Sequence, residues 1–485
     1  MDALELIING RTVRERDVSP NTTLLAYLRG LRGLTGAKEG CAEGDCGACS
    51  VVIVDAERQT FRTVNACLVL LPMVHGKHVI TVEGLADGST LHPAQAALVE
   101  KLGSQCGYCT PGIVMSMFEA TYRSDLDEGW KLDDQLCGNL CRCTGYRPIR
   151  EAAESVSGSR PDDRFRALLS GPSLPAPSLS YERDRELFFM PRTRAELFEL
   201  MDRIPDATLI SGGTDLALEI TKKFRTFSCL ISLEGLQDLQ KIEPGIERIR
   251  VGAGVRLTDL EAFAKQELVP IERMLRYFGS RQIKHRATLG GNLCTASPIG
   301  DLAPVLLSLG ADAILTSRAG ERRIALSEFF TGYRQTALGR GEVLAAVEIP
   351  RLGPMDRAAA YKVSKRQELD ISAVSAGLFV RLDGEGRVEL ARFAYGGMAP
   401  TPSRATLTEA HSIGKVFDET LAAQLGDMLE RDFSPIDDHR GSAWYRRTVA
   451  RNLIIGFFHE TARAPVPRIG RRPAGTVSAE VTPWE

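Results

Sequence analysis

The chain opens with apolar and polar residues in alternation. Leu4-Glu-Leu-Ile-Ile8, then Asn9-Gly10, then Arg11 to Val18 predict a β-hairpin with an Asn-Gly turn. Thr23 to Gly30 predicts a short helix, capped by Thr22. Ser50 to Asp55, Phe61 to Asn65 and Val79 to Val82 have the period and β-branched content of strands. From about Pro93 to Val156 the apolar positions recur at helical spacing instead. Helices are predicted from Pro93, from Thr110-Pro111, in a segment ending before Gly138, and from Arg147. Ser157 to Asp184 is rich in Ser, Pro, Gly and charge, and predicts a linker. Beyond Phe188 strands and helices alternate. A helix from Met190 to Met201 and a strand from Ala207 to Ile210 lead into Ser211-Gly-Gly-Thr-Asp215. Past Pro354, strands at Ile371 to Val380 and Val388 to Tyr395, with helices at Thr420 to Glu430 and Tyr445 to Glu460, predict an α+β module. No internal repeat is visible.

Composition narrows the class. A chain of 485 residues has room for three or four domains. Lys and Arg total 60 against 62 Asp and Glu, so no basic footprint for nucleic acid exists. No apolar run approaches the ~20 residues of a membrane span. Leu4 to Gly10 has neither the positive flank nor the cleavage site of a signal peptide, and the many cysteines then point to a reducing cytoplasm.

Nine of the eleven cysteines fall between Gly40 and Tyr146. Cys41, Cys46 and Cys49 have the C-x4-C-x2-C spacing of a plant-type ferredoxin, with Cys67 as a distant fourth ligand. Three thiolates converging on one small inorganic core require the backbone to wrap around it, which Gly40, Gly44 and Gly47 permit. Cys106-x2-Cys109 and Cys141-x-Cys143 form a second set, two short turns meeting in space. Eight thiolates in two fours point to two 2Fe–2S clusters. A zinc site more often uses two C-x2-C knuckles. A disulfide framework belongs to small secreted chains. Cys137 reads as a small filler and Cys229 as a core residue; His75 and His78 suit a loop better than a metal.

Two glycine pairs mark a second candidate site. Gly212-Gly213 follows a strand and precedes a helix, so consecutive N–H groups there could face an anion, but taken alone a glycine pair is more often a plain structural turn. Ala287-Thr-Leu-Gly-Gly-Asn292, with Asp301 beyond it, repeats the theme.

The stretches Cys41-Ala-Glu-Gly-Asp-Cys-Gly-Ala-Cys49, Gln105-Cys-Gly-Tyr-Cys-Thr-Pro-Gly112 and Gly138-Asn-Leu-Cys-Arg-Cys-Thr-Gly-Tyr146 resemble those of the molybdenum hydroxylases, in particular the iron–sulfur/FAD subunits of the xanthine dehydrogenase type. The likeness runs from about Leu4 to about His459. It implies a multidomain α+β chain. Residues 1–84 would form a β-grasp 2Fe–2S ferredoxin domain and 85–156 a helical-bundle 2Fe–2S domain. A linker at 157–184 would lead to a vanillyl-alcohol-oxidase-like FAD-binding domain at 185–352 and an α+β C-terminal flavoprotein domain at 353–462. Residues 463–485 would form a mobile tail.

Carried over by position, the resemblance places Leu209, Ile210, Ser211, Gly212, Gly213, Thr214, Asp215 and Leu216, with Thr288, Leu289, Gly290, Gly291 and Asn292, around the pyrophosphate and adenosine of FAD. Phe278, Asp301, Leu344 and Lys362 would be further FAD contacts. Without the resemblance, Phe278 and Leu344 read as core and Asp301 and Lys362 as solvated charges or a salt bridge. The loop Lys365 to Asp370 would gate access of the electron acceptor, and Cys294 falls inside the second FAD loop. No catalytic residue is expected on this chain. The resemblance implies a molybdopterin-binding large subunit as partner, two of each chain. Electrons from hypoxanthine or xanthine oxidation to urate would enter the Cys106/109/141/143 cluster, pass to the Cys41/46/49/67 cluster, reach FAD and reduce NAD+. Gln105 and Cys143 would face the partner. The same role in an aldehyde or N-heterocycle hydroxylase, or a zinc-stabilised scaffold, are the alternatives.

Overall fold

The structure is a computed structural model and describes residues 2–170 and 178–461. The expected tail at 463–485 lies outside the described residues, as does part of the expected linker.

The first module is a five-stranded mixed sheet in the spatial order Arg11–Glu15, Leu4–Ile8, His78–Ile80, Ser50–Asp55, Thr60–Asn65. Leu4–Ile8 and His78–Ile80 run parallel; the other pairs are antiparallel. Asn9 and Gly10 both have positive φ, +50° and +80°, as a tight two-residue turn requires. Helix Leu24–Gly30 buries Leu24, Leu25, Tyr27 and Leu28 in this module's core. Its cap is Thr23, not Thr22: Thr23 is extended and its hydroxyl accepts the Ala26 N–H at 3.1 Å. The last strand stops at Ile80, and Val82–Gly84 turns into a 3-10 helix.

Helices Pro93–Glu100, Thr110–Tyr122, Gly129–Leu136 and Arg147–Val156 make the second module. Thr110–Tyr122 is buried almost end to end, from Gly112 to Thr121, because it lies against the first sheet as well as its sister helices. Phe61 of that sheet meets Phe118 and Tyr122 edge-on, both at 4.9 Å. The two modules therefore share one core, which also takes in Val52 and Ile80.

The expected linker is partly structured. Asp163 caps a helix at Arg164–Leu169, and Leu179–Arg183 is a strand paired with Glu186–Met190. The alternation Leu179-Ser-Tyr-Glu-Arg183 was obscured by the polar, Pro-rich run before it. Tyr181, 1% exposed, then ties this strand to the first module by donating to the Val18 carbonyl at 2.6 Å.

The third module holds two larger sheets and a short two-stranded one, Phe330–Gly332 with Gln335–Thr336. Of the larger two, one runs Leu179–Arg183, Glu186–Met190, Cys229–Ser232, Thr208–Ile210; the other runs Ile242–Pro244, Arg248–Gly252, Val343–Pro350, Asp312–Ser317, Gly320–Ala325. The expected helix from Met190 begins only at Arg194, where Thr193 caps it. The fourth module is an antiparallel sheet, Asp356–Val363, Val374–Leu382, Val388–Gly396, Ser403–Arg404, covered by helices Glu419–Asp432 and Ala443–Thr461. Helix Leu302–Leu309 of the third module also packs on it: at Gly377 an added Cβ would lie 2.5 Å from the Pro304 carbonyl oxygen. Among the described residues no helix is long and apolar enough to cross a membrane.

Candidate functional site

Cys49 ends the first cysteine loop just before strand Ser50–Asp55, and Cys67 follows strand Thr60–Asn65. Because Ser50 pairs with Asn65, the sheet itself brings these two thiols together, 3.3 Å apart and both 2% exposed. Cys41 and Cys46 form a second pair. The Cys46 and Glu43 N–H groups donate to the Cys41 sulfur at 3.3 and 3.4 Å. The Cys46 thiol, and after it these backbone donors, bring Cys41 down to about 5. Gly44 and Gly47 sit at φ +86° and +66°, and a Cβ on Gly40 would lie 2.8 Å from the Cys46 sulfur.

The second set is likewise two pairs. Cys106 interacts with Cys143, both exposed, and Cys109 with Cys141, which is buried. Cys109 precedes helix Thr110–Tyr122, and burial, then Cys141, pushes its thiol up to about 12. Thr144 places its hydroxyl 3.2 Å from the Cys141 sulfur. Two thiols per point, twice over, is the donor set of a two-iron centre, with two ligands on each iron. Among the described residues no three His, Cys, Asp or Glu side chains surround one point as a single zinc ion would need.

The remaining cysteines and histidines have other partners. Cys137 donates to the Asp134 carbonyl at 3.2 Å, and Cys229 is buried in its strand. His75 and His78 accept backbone N–H groups from Glu5 and Gly10, and His78 begins a strand rather than lying in a loop.

The two cysteine cages touch. The Leu140 N–H, one residue before Cys141, donates to the Cys46 carbonyl at 2.9 Å, and Asn139 Nδ2 donates to the Gly47 carbonyl at 3.0 Å. Gly47 is obligatory here: a Cβ would lie 2.1 Å from the Gly138 carbonyl oxygen.

Beside the first cage lies a cavity of about 700 Å³, within the usual range of a cofactor site. Every residue carried over as an FAD contact lines it except Leu289, which is fully buried in the module core. The register of helix Leu289–Cys294 turns that side chain inward while Gly290, Gly291 and Asn292 face the cavity. The two glycine loops are in backbone contact, since a Cβ on Gly212 would lie 1.9 Å from the Arg286 carbonyl oxygen. Thr288 caps its helix through the Gly291 N–H at 3.1 Å and donates to Ser211 Oγ at 3.1 Å. Asn292 Oδ1 has no protein partner and Lys362 pairs with Asp301 at 2.8 Å. That pair is buried, 4% and 7% exposed, and Ser372 donates to Asp301 as well.

Sequence reasoning missed other lining residues. Asp45 sits inside the cysteine motif and was read only as part of it. Arg334, Glu342 and Arg440 come from segments with no motif, and only the fold brings them here. Leu369 and Asp370, from the loop expected to gate the acceptor, also line the cavity.

One short segment connects all these parts. Arg281 and His285 bind Glu119 at 2.7 and 2.9 Å, and Glu119 also accepts the Thr63 N–H. Gln282 donates to Asn139 at 2.9 Å, and Lys284 pairs with Asp134 and Glu261. Arg286 pairs with Glu234, while Ile283 lines the cavity.

Four family models match in chain order. Residues 6–71 match a 2Fe-2S iron-sulfur cluster binding domain and 81–154 a [2Fe-2S] binding domain. Residues 181–352 match an FAD binding domain in molybdopterin dehydrogenase, and 359–461 a CO dehydrogenase flavoprotein C-terminal domain. Among curated relatives, xanthine dehydrogenase of Emericella nidulans is 34% identical over 95% of this chain and 38% of its own length. Xanthine dehydrogenase/oxidase of Rattus norvegicus is 32% identical over 99% of this chain and 40% of its own. The chain thus spans about two fifths of the relatives it matches. Among solved structures, quinoline 2-oxidoreductase from Pseudomonas putida 86 superposes with a TM-score of 0.51 at 27% identity, covering 56% of this chain and 94% of that one. A reconstituted CO dehydrogenase from Oligotropha carboxidovorans gives 0.52 at 25%, covering 55% and 93%.

Proposed function

Because the chain belongs to the molybdenum hydroxylase family and carries its two 2Fe–2S domains and its FAD-binding domain, we propose that it is the electron-transfer part of a cytoplasmic xanthine dehydrogenase. In this reading hypoxanthine and xanthine are oxidised to urate on a molybdopterin-binding partner, two of each chain assemble, and NAD+ is the final acceptor. The relatives named xanthine dehydrogenase support the substrate.

The observation that carries the proposal is continuity. Asp45, inside the Cys41–Cys49 loop, lines the cavity, and the Leu140 N–H···O=C Cys46 bond joins that loop to the second cage. Cys41, Cys46, Cys49 and Cys67 would hold one cluster and Cys106, Cys109, Cys141 and Cys143 the other, with the glycine loops, Phe278, Asp301, Leu344 and Lys362 around the flavin. When bound, the clusters exchange single electrons and the flavin one or two.

The protein residues fix the order and the environment. Cys106, Cys143 and Gln105 are exposed, so electrons enter on the side where a partner can reach. Cys49 and Cys67 are shielded from water in the core. Ser211 to Asp215 and Thr288 to Asn292 present backbone and hydroxyl donors suited to a pyrophosphate. The loop ending at Leu369-Asp370 lines the cavity and would control the acceptor's approach.

A second reading keeps the relay and changes the substrate to an N-heterocycle or an aldehyde; the likeness to quinoline 2-oxidoreductase favours it. Purification with the partner, then assay of hypoxanthine, xanthine, quinoline and aldehydes with NAD+ or oxygen, decides between the two. Turnover of purines with NAD+ is expected, and none would overturn the assignment. Iron with acid-labile sulfide is expected by analysis; zinc in a colourless protein would instead support a scaffold. Cys106→Ser should remove one EPR-active cluster and substrate-to-NAD+ flow while leaving NADH-to-dye reduction largely intact. Loss of both activities in a folded variant would refute the carrier order.

A further inference from the structure

Little protein separates the first cysteine cage from the cavity. Gly44 lies between Cys41 and Cys46, and a Cβ there would be 2.6 Å from Leu68 Cδ1 and 2.9 Å from Ile283 Cδ1. Leu68 directly follows Cys67, and its carbonyl oxygen lies 3.3 Å from where a Cβ on Gly213 of the first glycine loop would be. Ile283 lines the cavity and packs on the apolar cores of both the first and the third module. Its side chain therefore reaches from the cysteine loop to the cavity wall. Asp45 spans the same gap, but it is acidic and exposed.

Arg281-Gln-Ile-Lys-His-Arg286 holds one apolar residue among five polar ones. Each of the five is tied to another part of the chain, in order by Glu119, Asn139, Asp134 with Glu261, Glu119 again, and Glu234. A residue flanked by such ties cannot slide along the gap. Its β-branched side chain is stiff at χ1, and Gly279 closes on it, since a Cβ there would be 3.4 Å from Ile283 Cγ2. Core packing alone asks only for an apolar side chain at this place; it asks for no fixed register.

We propose that Ile283 governs electron transfer from the Cys41/46/49/67 centre to the flavin by keeping the gap between them packed and dry. The inference rests on reading these cysteines and the cavity as cluster and flavin sites. The step moves one electron: the reduced cluster is oxidised and the flavin gains that electron. Packed carbon couples two carriers better than a void or mobile water does. Water beside a changing charge must also reorient each time the charge moves, a cost that a dry site avoids.

The test uses the full chain loaded with clusters and flavin, as wild type, Ile283→Ala, Ile283→Val and Ile283→Thr. After rapid reduction of the clusters, the rate of flavin reduction should fall about tenfold in Ile283→Ala. The cluster and flavin midpoints and the flavin Kd, which a general packing defect would move, should stay at their wild-type values. Ile283→Val should retain most of the rate. The reduced cluster of Ile283→Ala, exchanged into D2O, should show deuteron hyperfine coupling beyond that of wild type, because water now reaches Gly44. A loaded Ile283→Ala that transfers as fast as wild type, or gains no deuteron coupling, would overturn the proposal. Should that variant fail to load, the valine and threonine variants decide, being alike in shape and different by a hydroxyl. Slower transfer with threonine is expected, and equal rates overturn the proposal. Wild type that binds no flavin or carries no cluster would instead overturn the reading of the two sites.

Discussion

Lys362 and Asp301 allow the flavin reading to be separated from a purely structural one. Both line the cavity, yet they pair with each other at 2.8 Å and are nearly inaccessible. Lys362→Met leaves Asp301 buried without its counter-charge. Breaking a buried pair from one side costs about 3–5 kcal/mol. The Ser372 hydroxyl still donates to Asp301 at 2.5 Å, and a hydrogen bond to a charged group retains about 1.5–3 kcal/mol, so the loss belongs at the lower end, about 3 kcal/mol. Adding Asp301→Asn removes the orphaned charge and keeps an acceptor for Ser372. The double variant should therefore recover most of that stability, to within about 1 kcal/mol of wild type. Flavin binding should not recover with it. If Lys362 contacts FAD through a charge-assisted bond, both variants lose about 1.5–3 kcal/mol of binding, roughly ten- to a hundredfold in Kd. Calorimetric melting of the flavin-free chain reads the first quantity, and flavin retained after gel filtration, with a titrated Kd, reads the second. A double variant that binds FAD as tightly as wild type would make the pair structural only. A single variant as stable as wild type would refute the desolvation argument itself.

Three further outcomes follow from the geometry. Gly212→Ala must push the two glycine loops apart, because its Cβ would meet the Arg286 carbonyl at 1.9 Å; a cost at or above about 1–3 kcal/mol is expected, with flavin lost on gel filtration, whereas Gly291→Ala meets only the Thr288 hydroxyl at 3.0 Å and should retain more. Burial lowers His92 to about 4, and its Nδ1 accepts the Ala94 N–H while its other nitrogen meets Tyr122. With the folded value below the unfolded 6.5, its stabilising effect is full above pH 6.5 and is lost as pH falls toward 4, about 2 kcal/mol of it between pH 7 and 5; His92→Asn, which keeps an acceptor, should flatten that part of the melting-temperature profile, and an unchanged slope would refute it. Lys284→Met would leave Asp134 and Glu261 buried together with no cation between them, and faster proteolytic separation of the helical and flavin modules than in wild type is the expected result.

What could be seen in advance was whatever has a local cause. The Asn9-Gly10 turn and the helix start at Thr110-Pro111 are each set within a few residues, and each is where the pattern put it. The glycine loops were ambiguous because a glycine pair serves a plain turn as well as a binding loop; only the 1.9 Å approach of Gly212 to Arg286 shows why the residue must be glycine. Leu289, expected beside Gly290 and Gly291, is buried in the core and does not line the cavity, because adjacent residues of one short helix face opposite ways, and the motif records their order but not their direction. Strand Leu179–Arg183 went unseen because its partner, Glu186–Met190, decides its state more than its own composition does.

The segment Arg281–Arg286 had no readable signal at all, although it is the hub of the molecule. In sequence it is a run of charges, which ordinarily marks a solvated face. In the fold Lys284, His285 and Arg286 are buried, each held by a carboxylate from a different part of the chain: Asp134 and Glu261, Glu119, and Glu234. Such pairs add little net stability compared with apolar packing, because desolvation offsets their attraction. What they supply is registry, since a module shifted by one residue would leave unpaired charge in the dry interior. An apolar interface would tolerate a small slip; a chain of carriers would not, because each must stay within reach of the next. The polar seam therefore belongs where it is found, between the two cysteine cages and the cavity, and not inside any one module.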